Sequence, residues 1–200
     1  MFIVDFTIAD YLTLMGHLLV WTGLWCALAM KVELALAALT LAMLLDALDG
    51  KVARSLGVAR PFGRYLGSFV DLVNYTVCPP LVLHALGYRG WLAAAAMFIF
   101  STCGLLRLAR FNEVGNIQDS RGELAYLGLP VFWIHFILAL LYAIRWAAGP
   151  AAFHAAATVS LPALGFCFVL DRPFWKPQSY AVIAATTVAM AILFLWLGLR

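Results

Sequence analysis

The sequence predicts an all-α, polytopic membrane protein of about seven transmembrane helices preceded by a short N-terminal interfacial segment. Three observations carry that expectation. Of the 200 residues, 65% are hydrophobic and 12% charged, with a mean hydropathy of +0.96, so a compact soluble body would lack the polar side chains to cover itself. The apolar stretches are long and continuous, as spanning helices require, and do not alternate as barrel strands do. Most charged residues fall between those stretches or near their ends, Asp71 inside an apolar run being the exception.

Taken in order, MFIVDFTIAD has no basic run and carries Asp5 and Asp10, so no cleavable leader is expected and residues 2–10 read as lying at the membrane surface. Apolar stretches then occupy roughly 12–30, 33–48, 66–87, 90–110, 127–147, 151–170 and 178–199, each close to the length that crosses a bilayer. The second is short and ends in acids, so it should run on as a helix beyond the hydrocarbon. GYRG (87–90) and AAGP (147–150) are tight enough to join helical hairpins. No linker, low-complexity tract or clear repeat divides the chain, so residues 1–200 form one domain.

Orientation follows from Lys and Arg. With the N-terminus in the cytoplasm, Lys51, Arg54, Arg60, Arg64, Arg107, Arg110, Arg121, Arg172 and Lys176 share that side, leaving Lys31, Arg89, Arg145 and Arg200 opposite. The positive-inside rule favours this arrangement, which makes the protein a multi-pass component of the inner (cytoplasmic) membrane. A net charge of +3 is too modest to suggest nucleic acid as a partner. Cys26, Cys78, Cys103 and Cys167 are isolated in apolar segments, against a disulfide framework or zinc site. His17, His84, His135 and His154 are equally scattered and read as intramembrane histidines with local partners.

The chemistry concentrates in residues 44–75, LLDALDGKVARSLGVARPFGRYLGSFVDLVNY. On a helix, positions 46, 49, 50, 53 and 54 share a face, which presents two carboxylates, the small Gly50 and Ala53, then Arg54. Paired carboxylates near lipid repel and are costly to desolvate unless a cation neutralises them. The small residues let a large ligand approach the backbone, and an arginine fork suits phosphate. A magnesium-assisted phosphate site meets these requirements, since Mg²⁺ favours a few carboxylates together with substrate phosphates. The bland alternative, aspartates merely paired with Lys51 and Arg54, leaves the small residues without a purpose.

The run from Asp46 to Asp71 resembles the signature of the CDP-alcohol phosphatidyltransferases, DxxDGxxARx8GxxxDxxxD, with every spacing kept. CGLLRLARFNEVGN (103–116), YLGLPV (126–131) and FVLDRPFWKP (168–177) are similar, in order, to segments of that family's bacterial phosphatidylserine synthase branch. The resemblance implies a helical membrane transferase, a homodimer, that displaces CMP from CDP-diacylglycerol with Mg²⁺ or Mn²⁺. It implies Asp46, Asp49 and Asp71 as metal ligands, with Asp71 also the general base. Asp49, Gly50, Ala53, Arg54 and Gly63 would hold the nucleotide and its phosphates. Arg107, Arg110 and Asn112 would take lipid phosphate or the acceptor's carboxylate; for the two arginines a purely topogenic role competes. The acceptor implied is L-serine, with glycerol phosphate or an inositol compound as alternatives.

Two departures stand out. ADYLTLMG (9–16) matches the family's PNxLTxxN except that Ala9, Asp10 and Gly16 replace Pro, Asn and Asn. Gly67 stands where the third aspartate belongs. A carboxylate between two metals roughly 3.5–4 Å apart offsets their repulsion, so its loss leaves three outcomes: a one-metal enzyme, recruitment of water or another carboxylate such as Glu113, or a weak or non-catalytic CDP-lipid-binding relative. Gly63 and Gly67 also make a GxxxG pair suited to close helix packing.

Overall fold

The computed structural model describes residues 4–115, 117–118, 124–175 and 180–200; Arg121 and Lys176 of the orientation argument lie outside them. Among these residues, seven helical rods form the body: α1 Ile8–Leu28, α2 Val32–Ser55, α3 Pro61–Ala85, α4 Trp91–Val114, α5 Trp133–Ala147, α6 Gly149–Phe168 and α7 Tyr180–Gly198. A small antiparallel sheet, β1 Ile117–Gln118, β2 Leu124–Leu127 and β3 Pro173–Trp175, accompanies them.

Five helices are long and apolar enough to cross a membrane, namely α1, α3, α4, α6 and residues 181–198 of α7. The two others fall short for different reasons. Helix α2 is 24 residues long but carries Glu33, Asp46, Asp49, Lys51 and Arg54, and it continues to Ser55 as the acid motif suggests. Helix α5 has only 15 residues, about 22 Å at 1.5 Å per residue. The stretch expected at 127–147 begins at 133 because Leu124–Leu127 pairs as a strand and Gly128, at φ +72°, turns the chain ahead of Pro130.

Helix α2 is central. Val32, Ala35 to Thr40, Ala42 and Met43 are all buried, so its first half is enclosed on every side, chiefly by α1 and α7. The alanines keep those neighbours close. Gly23 of α1 sits so near Leu39 that a Cβ there would come within 2.6 Å of its side chain. The outer faces carry exposed Trp21, Trp25, Phe98, Trp146 and Phe166, the apolar surface a lipid environment requires.

Helix α3 changes pitch midway: Leu72–Val77 is a π-helical turn. Pro79 and Pro80 explain it, because each lacks an N–H for the carbonyl four residues back and crowds it. Cys78 N–H donates instead to Val73 O, and the hydroxyl of Ser101 on α4 donates to Thr76 O at 2.9 Å, satisfying the carbonyl that Pro80 leaves without a donor.

The sheet is tied to the bundle by Gly128 and Leu129, whose N–H groups donate to Arg172 O and Cys167 O, both at 3.0 Å. A Cβ at 128 would lie 2.2 Å from Phe168 O, on a backbone conformation that itself disfavours side chains. Gly128→Ala should therefore cost at least about 1–3 kcal/mol, read as a lower temperature of half-loss of folded protein in detergent.

Candidate active site

The ends of the helices that bear the acid motif converge on a cavity of about 490 Å³. Helix α2 supplies Asp46, Asp49, Gly50, Ala53 and Arg54; α3 supplies Gly63, Gly67, Ser68, Asp71 and Tyr75; α4 supplies Arg107. Three helices thus bring together residues that the sequence places as far as 61 positions apart, from 46 to 107.

The carboxylates are held individually. Tyr75 OH donates to Asp46 Oδ2 at 3.0 Å, and Thr13 Oγ1 donates to Asp49 Oδ2. The Asp46 and Asp71 carboxyl groups come within hydrogen-bonding reach of one another, a contact that calls for a shared proton or a cation. Arg107, 7% exposed, lies near enough to attract both. Its guanidinium carbon sits 5.1 Å from the Phe111 ring centroid and 5.6 Å from that of Tyr126, and its Nε is buried without a hydrogen-bond partner.

The glycines have specific jobs. At Gly50 a Cβ would come 3.3 Å from Arg54 Nη1, so the missing side chain makes room for the guanidinium folded back along α2. At Gly63 it would meet Asp10 Oδ1 at 3.3 Å. At Gly67 it would meet nothing within 4 Å, so close packing does not require a glycine there and the residue faces open space on the cavity wall.

Two expected phosphate contacts stand apart from the cavity lining. Arg110 is exposed and pairs with Glu113 at 2.6 Å, which also removes Glu113 as a substitute for the missing carboxylate. Three helical steps rotate Arg110 about 60° from Arg107, enough to turn it off the cavity face. Asn112 accepts from Ser68 Oγ at 3.0 Å and so braces the cavity wall from behind.

Several lining residues escaped sequence reading. Asp10, 2% exposed, closes a capping box with Thr7 at the start of α1 and accepts from Arg60 Nη2 at 2.6 Å. The T-x-x-D spacing of Thr7 and Asp10 was the available signal. For Tyr75 there was none, since its partner lies on another helix; Thr13 falls within ADYLTLMG, the stretch that resembles the family's N-terminal motif. The histidines divide: His17 accepts from Trp21 Nε1 at 2.9 Å and His154 Nε2 is 3.0 Å from Gly87 O. His135 stacks edge-on against Tyr75 at 5.1 Å, with neither ring nitrogen hydrogen-bonded, so the expectation of a local partner fails for it. All four cysteines are free.

Among the described residues, no group of three or more His, Cys, Asp or Glu side chains forms a metal site as placed. Asp49 is turned toward Thr13, and position 67 contributes no carboxylate. The donor chemistry nonetheless fits a hard cation. Asp46 and Asp71 oppose each other with only oxygens, and Mg²⁺ commonly takes one or two carboxylates and completes its shell with phosphate and water.

A family model described as CDP-alcohol phosphatidyltransferase matches residues 6–199. The chain belongs to that family. It is similar to proteins named CDP-diacylglycerol–serine O-phosphatidyltransferase: 36% identical over 125 residues to one from Methanocaldococcus jannaschii, covering 62% of this chain and 55% of that one; 39% over 115 residues to one from Mycobacterium leprae, covering 54% and 37%; and 36% over 104 residues to one from Bacillus subtilis, covering 50% and 54%. The chain thus matches about half or less of those relatives' lengths. On the function proposed below, Tyr75→Phe, which removes the hydroxyl that donates to Asp46 Oδ2, should lower turnover roughly 10-fold, the lesser end of the effect of losing a supporting hydrogen bond. Initial rates at saturating and limiting cation measure it.

Proposed function

We propose that the protein transfers a phosphatidyl group from CDP-diacylglycerol to an alcohol, L-serine being favoured, and releases CMP. The observation that supports this most directly is the joint presence of Asp46, Asp49, Asp71, Arg54 and Arg107 on one cavity at one end of the bundle. That cavity is apolar on its other walls, at Pro130, Phe132, Phe136 and Ile183. It therefore suits a molecule with a charged diphosphate and acyl chains.

Asp46 and Asp49, with Asp71 beside them, would hold Mg²⁺ or Mn²⁺. When bound, the cation supplies charge withdrawal from the diphosphate. Arg54 steadies phosphate from the α2 side and Arg107 from the α4 side. Gly50, Ala53 and Gly63 keep that wall shallow beside the cytidine diphosphate. Asp71 accepts the acceptor hydroxyl's proton as its oxygen bonds to the lipid-linked phosphorus and the diphosphate P–O bond breaks toward CMP. Arg107, buried with an unpartnered Nε, is also the lining residue best suited to an acceptor carboxylate. The serine preference draws further on the names of the relatives.

The test is CMP release from CDP-diacylglycerol in mixed micelles with Mg²⁺ or Mn²⁺ and a panel of serine, glycerol phosphate and inositol. Release with serine alone supports the synthase, and release only with another alcohol reassigns the acceptor. A second reading, a CDP-lipid binder with little turnover, draws on Gly67; retained cytidine nucleotide binding without release from any acceptor would select it. The distribution of Lys and Arg favours a cavity on the cytoplasmic face of the inner membrane, which cysteine labelling at Ser55 in sealed vesicles checks. The family resemblance favours a homodimer, measurable as the protein mass in detergent.

A further inference from the structure

Behind the acids lies a second, much smaller cavity of about 10 Å³, bordered by Thr13, Gly16, Asp46, Asp49, Gly67, Asp71 and Asn74. It is the size of a single water or small ion. Asn74 is 1% exposed, and its side-chain oxygen Oδ1 is buried with no hydrogen-bond partner. Leaving such an acceptor unsatisfied is costly, so a buried amide oxygen beside the Asp46 and Asp71 carboxylates calls for a positively charged or proton-donating occupant. The placement is not incidental. Gly67, Asp71 and Asn74 recur at i, i+4 and i+7 on α3, and the π turn at Leu72–Val77 contains Asn74.

We propose that Asn74 is a cation ligand in this protein, its Oδ1 supplying the oxygen that a carboxylate at position 67 would otherwise provide. The inference rests on the reading of the cavity as a cation and diphosphate site, and it gives Gly67 a consequence: the open space at 67 leaves the ion to be completed from about two turns further along the same helix. A neutral amide in place of a carboxylate keeps oxygen coordination while lowering the negative charge around the ion, so binding is retained but weakened.

The experiment titrates Mn²⁺ into the full-length protein in detergent with CMP present, reading free Mn²⁺ by its paramagnetic resonance signal and folded fraction by circular dichroism. Wild type binds. Asn74→Ala should weaken binding about 10–100-fold, and Asn74→Asp should tighten it, a gain that misfolding could not produce. In a Gly67→Asp background, Asn74→Ala should cost far less, because the aspartate supplies the oxygen. Equal Mn²⁺ affinity in wild type, Asn74→Ala and Asn74→Asp would overturn the ligand role while leaving the cation reading intact. No Mn²⁺ uptake by any variant would overturn both.

Discussion

Gly67→Asp should raise both cation affinity and the rate of CMP release, by about 10–100-fold each, the range seen when groups supporting a metal are gained or lost. The structure makes this substitution unusually tolerant. A Cβ at 67 meets nothing within 4 Å, so the new carboxylate enters space already present beside Asp46, Asp49 and Asp71. It also costs helix propensity little, since glycine is the poorer helix former. A carboxylate there would offset repulsion between two cations, so the rate should become less steeply dependent on cation concentration. Steady-state rates across a Mn²⁺ series decide it. An unchanged rate together with tighter binding would mean that chemistry, not cation occupancy, limits the wild type.

Asp71→Asn should lower kcat by on the order of 10²–10⁴-fold, the usual contribution of a positioned general base. Asparagine is nearly isosteric and still offers one oxygen toward Asp46, so the cavity should keep its shape and cytidine nucleotide binding should persist. The loss should therefore fall on kcat more than on KM for CDP-diacylglycerol. Single-turnover CMP release separates it from slow product departure. If KM rises while kcat stays near wild type, Asp71 serves the cation and not the proton. Asp49→Asn, whose carboxylate is engaged by Thr13, offers the contrasting case, with its effect expected chiefly in cation affinity.

Much of the site was legible because its information is local. Asp46, Asp49, Gly50, Ala53 and Arg54 lie within nine consecutive residues of one helix, and a regular helix converts that spacing into a shared face. The same periodicity misled at Arg107 and Arg110, where i, i+3 places two side chains on neighbouring but distinct faces. One turned inward onto the cavity, and the other outward to Glu113. Contacts between helices were not legible at all. Tyr75 to Asp46, Thr13 to Asp49 and Arg60 to Asp10 join residues 29, 36 and 50 apart in sequence, and no local pattern announces which hydroxyl or guanidinium will face which acid.

The sequence by itself determined that this is a helical membrane protein with an acidic motif on one helix face, because composition and helical periodicity act residue by residue along the chain. It also carried the family, in a run of fixed spacings. Tertiary structure alone decided that β1 to β3 form a small sheet, that α3 widens into a π turn before Pro79, and that a side chain at 67 would enter open space. It also placed Asn74 behind the acids. These depend on which helices meet and at what height, and that is set by the packing of whole surfaces such as Gly23 on Leu39 or Gly128 on Phe168.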